Sequence, residues 1–524
     1  MDGFCAVDRS LSRVVDVGRD KTSGVNATPA TSIDGNEAGG GHPELSDRRK
    51  TAILAICCMS LLIVAMDNTI VNVALPSIRR DLHASLSGLQ WTIDAYVIVI
   101  ASLLLLSGST ADRLGRKRTF QVGLTLFVAG SLLCSLAPGL GWLIAARALQ
   151  GVGGSMLNPV AMSIITNVFT HPRERARAIG AWGAVVGISL ALGPIVGGAL
   201  TESVGWRAIF WINVPIGLAA VALTALYVPE SRAPRARRID PVGQALVIVT
   251  LASLTYAIIE GPGSGWFSAQ TIGTFALAAV ALVSFVLYEP RRADPLIELR
   301  FFRSVPFSGA TVIAVSAFAG FSGFLLVNTL YLQDVRGYSA LDAGLCTLPL
   351  AAAALVCSPL SARLLSSRGP RLPLFIAGGC MAASGLAMTT LTTSTSLARL
   401  LVVYAVFGVG FGFVNPPITF TAVSGMPNNQ AGVAAAVAST SRQVGQALGV
   451  AVMGSIVGAA VGGEIGVHLA GASHPAWWVV VGCGASVFAM GAASTGRWAQ
   501  ETARRCAEQL EREQQETPQP LQPA

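Results

Sequence analysis

The sequence predicts an all-α polytopic membrane protein: fourteen transmembrane helices in two six-helix bundles, joined by two extra linking helices, with both termini cytoplasmic. Three observations lead there. Apolar residues fill 52% of the 524 positions and charged residues only 12%, with a mean hydropathy of +0.60, whereas soluble domains carry about 25% charged residues. Apolar stretches of membrane-spanning length then follow one another through nearly the whole chain. Two distant segments also spell nearly the same thing. Gly151-Val-Gly-Gly-Ser-Met-Leu-Asn158-Pro159 and Gly408-Val-Gly-Phe-Gly-Phe-Val-Asn415-Pro416 place Gly, Gly, Asn and Pro at identical spacing, which indicates two related halves.

Taken in order, residues 1–50 form a polar tail rich in Gly, Ser, Thr and Asp, without a secretory signal and reading as disordered. Apolar stretches follow at about 51–75, 91–110, 119–137, 142–165, 177–201, 207–228, 240–259, 272–288, 306–331, 342–362, 371–391, 399–422, 432–460 and 476–495. The repeat aligns the fourth helix with the twelfth. Two plain six-helix halves would align the fourth with the tenth, so two helices are inserted between them, and 240–259 with 272–288 are the natural candidates. The organisation is therefore an N-terminal bundle over 51–230, a linking pair over 231–300, a C-terminal bundle over 301–497 and a tail over 498–524. The linking pair reads as a spacer on the outside.

Lys and Arg gather on the cytoplasmic side of membrane proteins. With the N-terminus inside, the cytoplasm receives Arg48-Arg49-Lys50, Arg113 to Arg118, Arg173 to Arg177, Arg232 to Arg238, Arg291 to Arg303, Arg363 to Arg371 and the basic C-terminal tail. The opposite loops keep Arg79, Arg80, Arg207, Arg336 and Arg399. Basic residues placed between apolar runs explain the sequence pI near 9.2 without a nucleic-acid partner. Nine cysteines lie mostly in apolar stretches, with neither metal-type nor paired spacing. No nucleophile and base pair, metal cluster or phosphate loop stands at credible spacing, so neither an enzyme nor a metal or other cofactor is expected.

Five segments carry the chemistry. Gly108-Ser-Thr-Ala-Asp112-Arg113-Leu-Gly115-Arg116-Lys117-Arg118 follows helix two. Its glycines permit a tight turn, and Asp112 can meet a helix N-terminus or a neighbouring Arg to latch the cytoplasmic side. The matching second-half loop, Ser358 to Arg371, keeps Arg363, Gly369 and Arg371 but lacks the acid. Arg147-Ala-Leu-Gln150-Gly151 lies at the start of helix four, where a cation costs about 3 kcal/mol on insertion scales and faces a cavity or an acid. The second half has Tyr404 at that place, so packing does not demand the charge. In helix five, Gly187, Gly193-Pro194 and Gly197-Gly198 allow close approach and bending. Met66-Asp67-Asn68-Thr69-Ile70-Val71-Asn72 and Trp91-Thr92-Ile93-Asp94-Ala95-Tyr96 each put one acid in an apolar helix.

Together these segments resemble the major facilitator superfamily, and within it the fourteen-helix drug:proton antiporter branch, over about residues 50–498. The loop after helix two resembles the superfamily signature, Arg147 with Gln150 its proton-coupling motif, and the helix-five glycines its antiporter motif. The resemblance implies a major facilitator fold in the bacterial cytoplasmic membrane, exporting a drug or antibiotic by alternating access, driven by protons and without a cofactor. It implies proton exchange on Asp67 and Asp94, tuned by Arg147.

At about 1.5 Å per residue, Asp67 and Arg147 share a depth roughly 12 Å from the outer end, while Asp94 sits shallower. Asp67 can instead bond Asn68 or Asn72, or serve as a fixed counter-ion to Arg147; Asp94 can be a helix N-cap at the surface. Glu202, Glu260, Asp334 and Glu464 read as interfacial. Asn68, Asn72, Gln150, Asn158, Asn415, Arg442, Gln443 and Gln446 are candidate cavity residues. Two acids suit an amphipathic or cationic drug, although 7% aromatic content forms no distinctive aromatic cage. Import of a metabolite and a non-transporting sensor are the alternatives.

Overall fold

The computed structural model describes residues 46–516 apart from 234–238, 293–294, 428–429, 462–465 and 467, with the backbone alone over 513–516. Most of the N-terminal tail, Glu464 and part of the basic linker before residue 240 lie outside the described residues. Every described element is helical. The N-terminal half comprises α1 (Asp47–Leu82), α2 (Leu86–Leu114), α3 (Arg116–Ser135), α4 (Leu140–Val168), α5 (Pro172–Ser203) and α6 (Ala208–Tyr227). Then come α7 (Pro241–Ser264) and α8 (Ala269–Tyr288). The C-terminal half comprises α9 (Val305–Val335), α10 (Ala340–Arg368), α11 (Arg371–Met388), α12 (Leu397–Val423), α13 (Ala431–Val461) and α14 (Leu469–Ala493), and a last helix, α15 (Arg497–Glu516), follows.

Thirteen of these helices are long and apolar enough to cross a membrane. Helix α4, which is not among the thirteen, has 29 residues, the length of α2, and carries Arg147, Gln150 and Asn158. It packs against α2 and α3. The ends obey local chemistry: Ser85, Asp240, Ser268, Ser339 and Ser396 each accept a bond from a backbone N–H of the helix they cap. Internal prolines such as Pro76, Pro159 and Pro416 are tolerated because neighbouring helices shield the backbone they disturb.

Lipid gives helices no hydrophobic reason to associate, so close backbone contact must hold them together. The duplicated motif supplies it twice. A Cβ on Gly151 would lie 2.8 Å from the Tyr96 carbonyl of α2, and one on Gly153 2.3 Å from the Phe127 nitrogen of α3. The counterparts Gly408 and Gly410 press on Leu350 of α10 and Ala377 of α11, at 2.2 and 2.8 Å. The same spacing therefore builds the same three-helix contact in both halves.

The halves meet along α2 with α13 and α5 with α10. Among the described residues, every hydrogen bond or ion pair between them lies at the end where α1 finishes. There Gln90 donates to the Val450 and Ala451 carbonyls at 3.1 and 2.9 Å. Gln333, on a π-helical turn closing α9, donates to the Val73 carbonyl at 2.8 Å. Arg79 pairs with Asp334 at 3.5 Å, and the Leu341 N–H reaches Glu202 at 3.4 Å. This end is sealed. At the other end a smaller crevice of about 160 Å³ lies between Leu104–Asp112 of α2, Pro159 of α4 and Gly432–Ala436 of α13, with Ile239, Asp240, Pro295 and Leu296 of the linking segments on its wall, and α5 is largely exposed over residues 173–188.

Helix α8 packs on α7 and faces outward as a spacer would, but α7 holds both halves. Glu260 accepts from the Trp91 indole at 2.8 Å, Gln244 donates to the Ser102 carbonyl at 2.6 Å, and the Ile258 carbonyl accepts from Ser455 at 2.6 Å. The C-terminal tail is likewise more than a tail. Ala499, Ala503, Cys506 and Leu510 of α15 are buried on one stripe, and Thr502 accepts from the Val305 N–H that opens α9.

Candidate functional site

The site grows from α1 and α4, which bring Asp67 and Arg147 together from 80 positions apart. Arg147 is the eighth residue of α4 and Asp67 lies past the middle of α1; both are essentially without solvent contact, at 1% and 0%. Arg147 Nη1 donates to Asp67 Oδ2 at 2.5 Å and to Gln150 Oε1 at 2.7 Å, while its Nε donates to the Thr92 carbonyl at 3.0 Å. The other carboxylate oxygen, Oδ1, accepts from Gln150 Nε2 at 2.9 Å and Asn213 Nδ2 at 3.2 Å. Gln150 also donates to Ser131 at 2.8 Å. The Tyr96 ring covers the guanidinium, its centroid 4.1 Å from Cζ. One ion pair is thus closed on all sides by donors and an aromatic face. In so dry a setting a proton arriving on Asp67 would remove the charge that holds Arg147.

The second half contains the same geometry without charge. Tyr404 and Phe407 take the places of Arg147 and Gln150, and the Tyr404 hydroxyl donates to Asn328 Oδ1 of α9 at 2.8 Å. Phe324, Phe407 and Trp477 fill the space around it. In the second half a neutral pair packs the corresponding helices, so this helix arrangement does not by itself require the charge.

Asp94 is neither shallow nor a cap. Ser85 caps α2, which begins at Leu86, so Asp94 is its ninth residue, about 12 Å along the axis. It is fully buried, and neither carboxyl oxygen has a hydrogen-bond partner. Gln150 belongs to the Asp67 cluster and does not line a cavity. Asn72 donates to the Asn68 carbonyl at 3.0 Å and Asn415 to the Phe411 carbonyl at 3.4 Å. Asn68, Asn158, Asn415, Arg442, Gln443 and Gln446 are all partly exposed.

In the loop after α2, Gly115 takes a positive φ of 115°, a conformation that favours glycine. Arg116 pairs with Asp112 at 3.2 Å, and the Asp112 backbone carbonyl accepts from the Ala233 N–H. Glu230, just past α6, accepts from the Lys117 N–H at 3.1 Å and lies 3.7 Å from Arg118. Asp112, Gly108 and Leu104 also border the crevice, opposite Gly432 and Val433. The helix-five glycines seat α5 on its neighbours: Gly193 and Gly197 against Thr69 and Ile70 of α1, Gly187 against Leu355 and Gly198 against Ala340 of α10. Sequence reasoning did not reach Asn213, Ser131, Glu230 or the seal made by Gln90 and Gln333, which pair with residues far along the chain.

Residues 57–450 match the profile of the Major Facilitator Superfamily. The chain belongs to that superfamily. Among its relatives, the multidrug resistance protein Stp of Mycobacterium tuberculosis (strain CDC 1551 / Oshkosh) is 38% identical over 398 residues, covering 76% of this chain and 74% of the relative. The tetracenomycin C resistance and export protein of Streptomyces glaucescens is 36% identical over 426 residues, 81% of this chain and 77% of its own. A crystal structure of a bacterial homologue of the human lysosomal transporter Spinster, inward-facing and occupied, superposes with a TM-score of 0.62 at 17% identity, over 89% of this chain and 99% of that one. The last shares the fold alone. Membership of the Major Facilitator Superfamily makes this a multi-pass membrane transporter and not an enzyme.

Proposed function

We propose that the protein exports drugs or antibiotics across the bacterial cytoplasmic membrane in exchange for protons, by alternating access between its two halves. The names of its relatives, a multidrug resistance protein and an antibiotic export protein, support drug export. The observation that carries proton coupling is the asymmetry of the repeat: a buried Asp67–Arg147 pair in one half, a neutral Tyr404–Asn328 pair in the other. Fourteen spans with both termini cytoplasmic agree with the placement of Arg113, Arg116, Arg118, Arg173, Arg175 and Arg177 at the open end. In that orientation the described state is sealed outside and open to the cytoplasm, ready to accept cargo.

In the cycle, a proton entering from outside neutralises Asp67, frees Arg147 and loosens α1 from α4, and its departure inward restores the pair. Asp94 is a second proton acceptor in α2, and Asp112 with Arg116 controls inner closure. No cofactor is needed, because the gradient supplies the work. The test is accumulation of a panel of dyes and antibiotics in inside-out vesicles under an acid-inside gradient, with Asp67→Asn beside the intact chain. Accumulation that collapses with the gradient and with the substitution is expected; undiminished accumulation by Asp67→Asn would sink the assignment.

A further inference from the structure

Arg442 is the twelfth of the 31 residues of α13. Six residues before it, Ala436 borders the open crevice, and eight residues after it, Val450 accepts the sealing bond from Gln90. At 1.5 Å per residue Arg442 therefore sits about 9 Å in from the crevice and about 12 Å short of the seal. Among the described residues it takes part in none of the ion pairs, in contrast to Arg147. Its Nη2 donates to Thr419 Oγ1 of α12 at 2.6 Å and its Nη1 to Ser439 Oγ at 3.3 Å, both neutral, and its Nε is buried without a partner.

A guanidinium has five donor hydrogens and suits an oxyanion bidentately. An intramembrane cation without an acid marks a substrate or ion path. The groups around it add a second requirement. The side-chain carbonyl oxygens of Gln443 and Gln446 on the same helix are buried and unpartnered; they accept and need O–H or N–H donors. The complementary molecule carries an acidic oxygen, as in a carboxylate, phenolate or enolate, flanked by hydroxyl or amide hydrogens.

We propose that Arg442 binds the acidic oxygen of the transported molecule, so that organic weak acids are the cargo class. This deepens the export reading and rests on it. It also reverses the expectation of a cationic drug, which relied on Asp67 and Asp94. Asp67 is already occupied by Arg147, Gln150 and Asn213.

Fluorescein and rhodamine 123 share a ring system and differ in charge, which makes them suitable probes. Their binding to the purified full-length protein is measured by fluorescence anisotropy at neutral pH. Intact protein should prefer fluorescein. Arg442→Gln should weaken fluorescein about tenfold or more, tenfold corresponding to ~1.4 kcal/mol, and leave rhodamine 123 unchanged. Arg442→Lys should keep part of the preference by restoring the charge. If Arg442→Gln does not fold, Arg442→Lys and Thr419→Val, which removes the guanidinium's nearest partner, provide the comparison. Intact protein that takes rhodamine 123 alone or neither dye, or variants that weaken both dyes equally, would overturn the proposal. Equilibrium binding needs no gradient, so charge-selective binding without energised export would defeat the export reading and leave this one standing.

Discussion

Replacing Gly198 with alanine should open the sealed end, and the size of the effect follows from one contact. An added Cβ would stand 2.6 Å from both the Ala340 carbonyl oxygen and the Leu341 Cα of α10, where ordinary contact begins at 3.4 Å. Both obstacles are backbone, so no side chain can swing aside, and α5 must withdraw from α10 by about 1 Å. Overpacking of this kind costs roughly 1–3 kcal/mol. Because the contact joins the two halves, the cost falls on the sealed state and shifts the equilibrium toward the alternative by about 5- to 150-fold.

Alanine also raises helix propensity by about 1 kcal/mol, so the control is Gly379→Ala in α11, which gains the same propensity and meets nothing within 4 Å. The assay is the rate at which Gln333→Cys, introduced at the seal, reacts with a bulky maleimide in nanodisc-embedded protein. Faster labelling in the Gly198→Ala background than in the Gly379→Ala background is expected. Equal rates and equal melting temperatures would refute the reasoning. Gly344→Ala, whose Cβ would lie 2.3 Å from the Pro194 carbonyl, should behave as Gly198→Ala does.

Two further predictions concern stability. Asp67→Asn leaves Arg147 buried without a carboxylate and should cost about 3–5 kcal/mol, whereas Asp67→Asn combined with Arg147→Gln should recover much of that loss. Thermal unfolding of the purified protein measures both, and a double variant no more stable than the single one would contradict the view that neutral groups can pack this site. Gly115→Ala combines a positive φ with a Cβ 2.5 Å from Glu230 Oε1. Backbone strain there costs about 1–3 kcal/mol, so the melting temperature should fall and Glu230→Ala should rescue only the clash; a variant that melts as the intact chain does would remove the turn from the account of the loop.

Much of the site was legible where residue type and helix rise suffice. Counting residues from the helix ends put Asp67 and Arg147 at one depth, and the repeat announced that Tyr404 replaces Arg147. Counting failed for Asp94, because the helix begins at Leu86, ahead of the apolar run that marks it in the sequence, and the acid is carried two turns inward. Asn213 and Ser131 were invisible for a different reason: a neutral polar residue in a membrane helix has many possible partners, and nothing local selects among them. Glu230 escaped notice because its partners, Lys117 and Arg118, lie in the first turn of α3, more than a hundred residues earlier.

The sequence by itself determined a membrane-embedded helical protein, its internal duplication and the presence of buried charge, because the bilayer admits few backbone solutions and charges every exception heavily. The tertiary structure alone decided which charges are answered and which are not. Arg147 and Arg442 look alike along the chain, each an arginine in an apolar helix. Packing gives the first a carboxylate from α1, whereas the second meets only hydroxyls, since pairing depends on which helix faces stand opposite and a single helix's sequence does not specify its neighbour. The same holds for the seal: glycines at Gly198 and Gly344 permit close approach, but their meeting at one end while the other end parts is a property of the assembled halves.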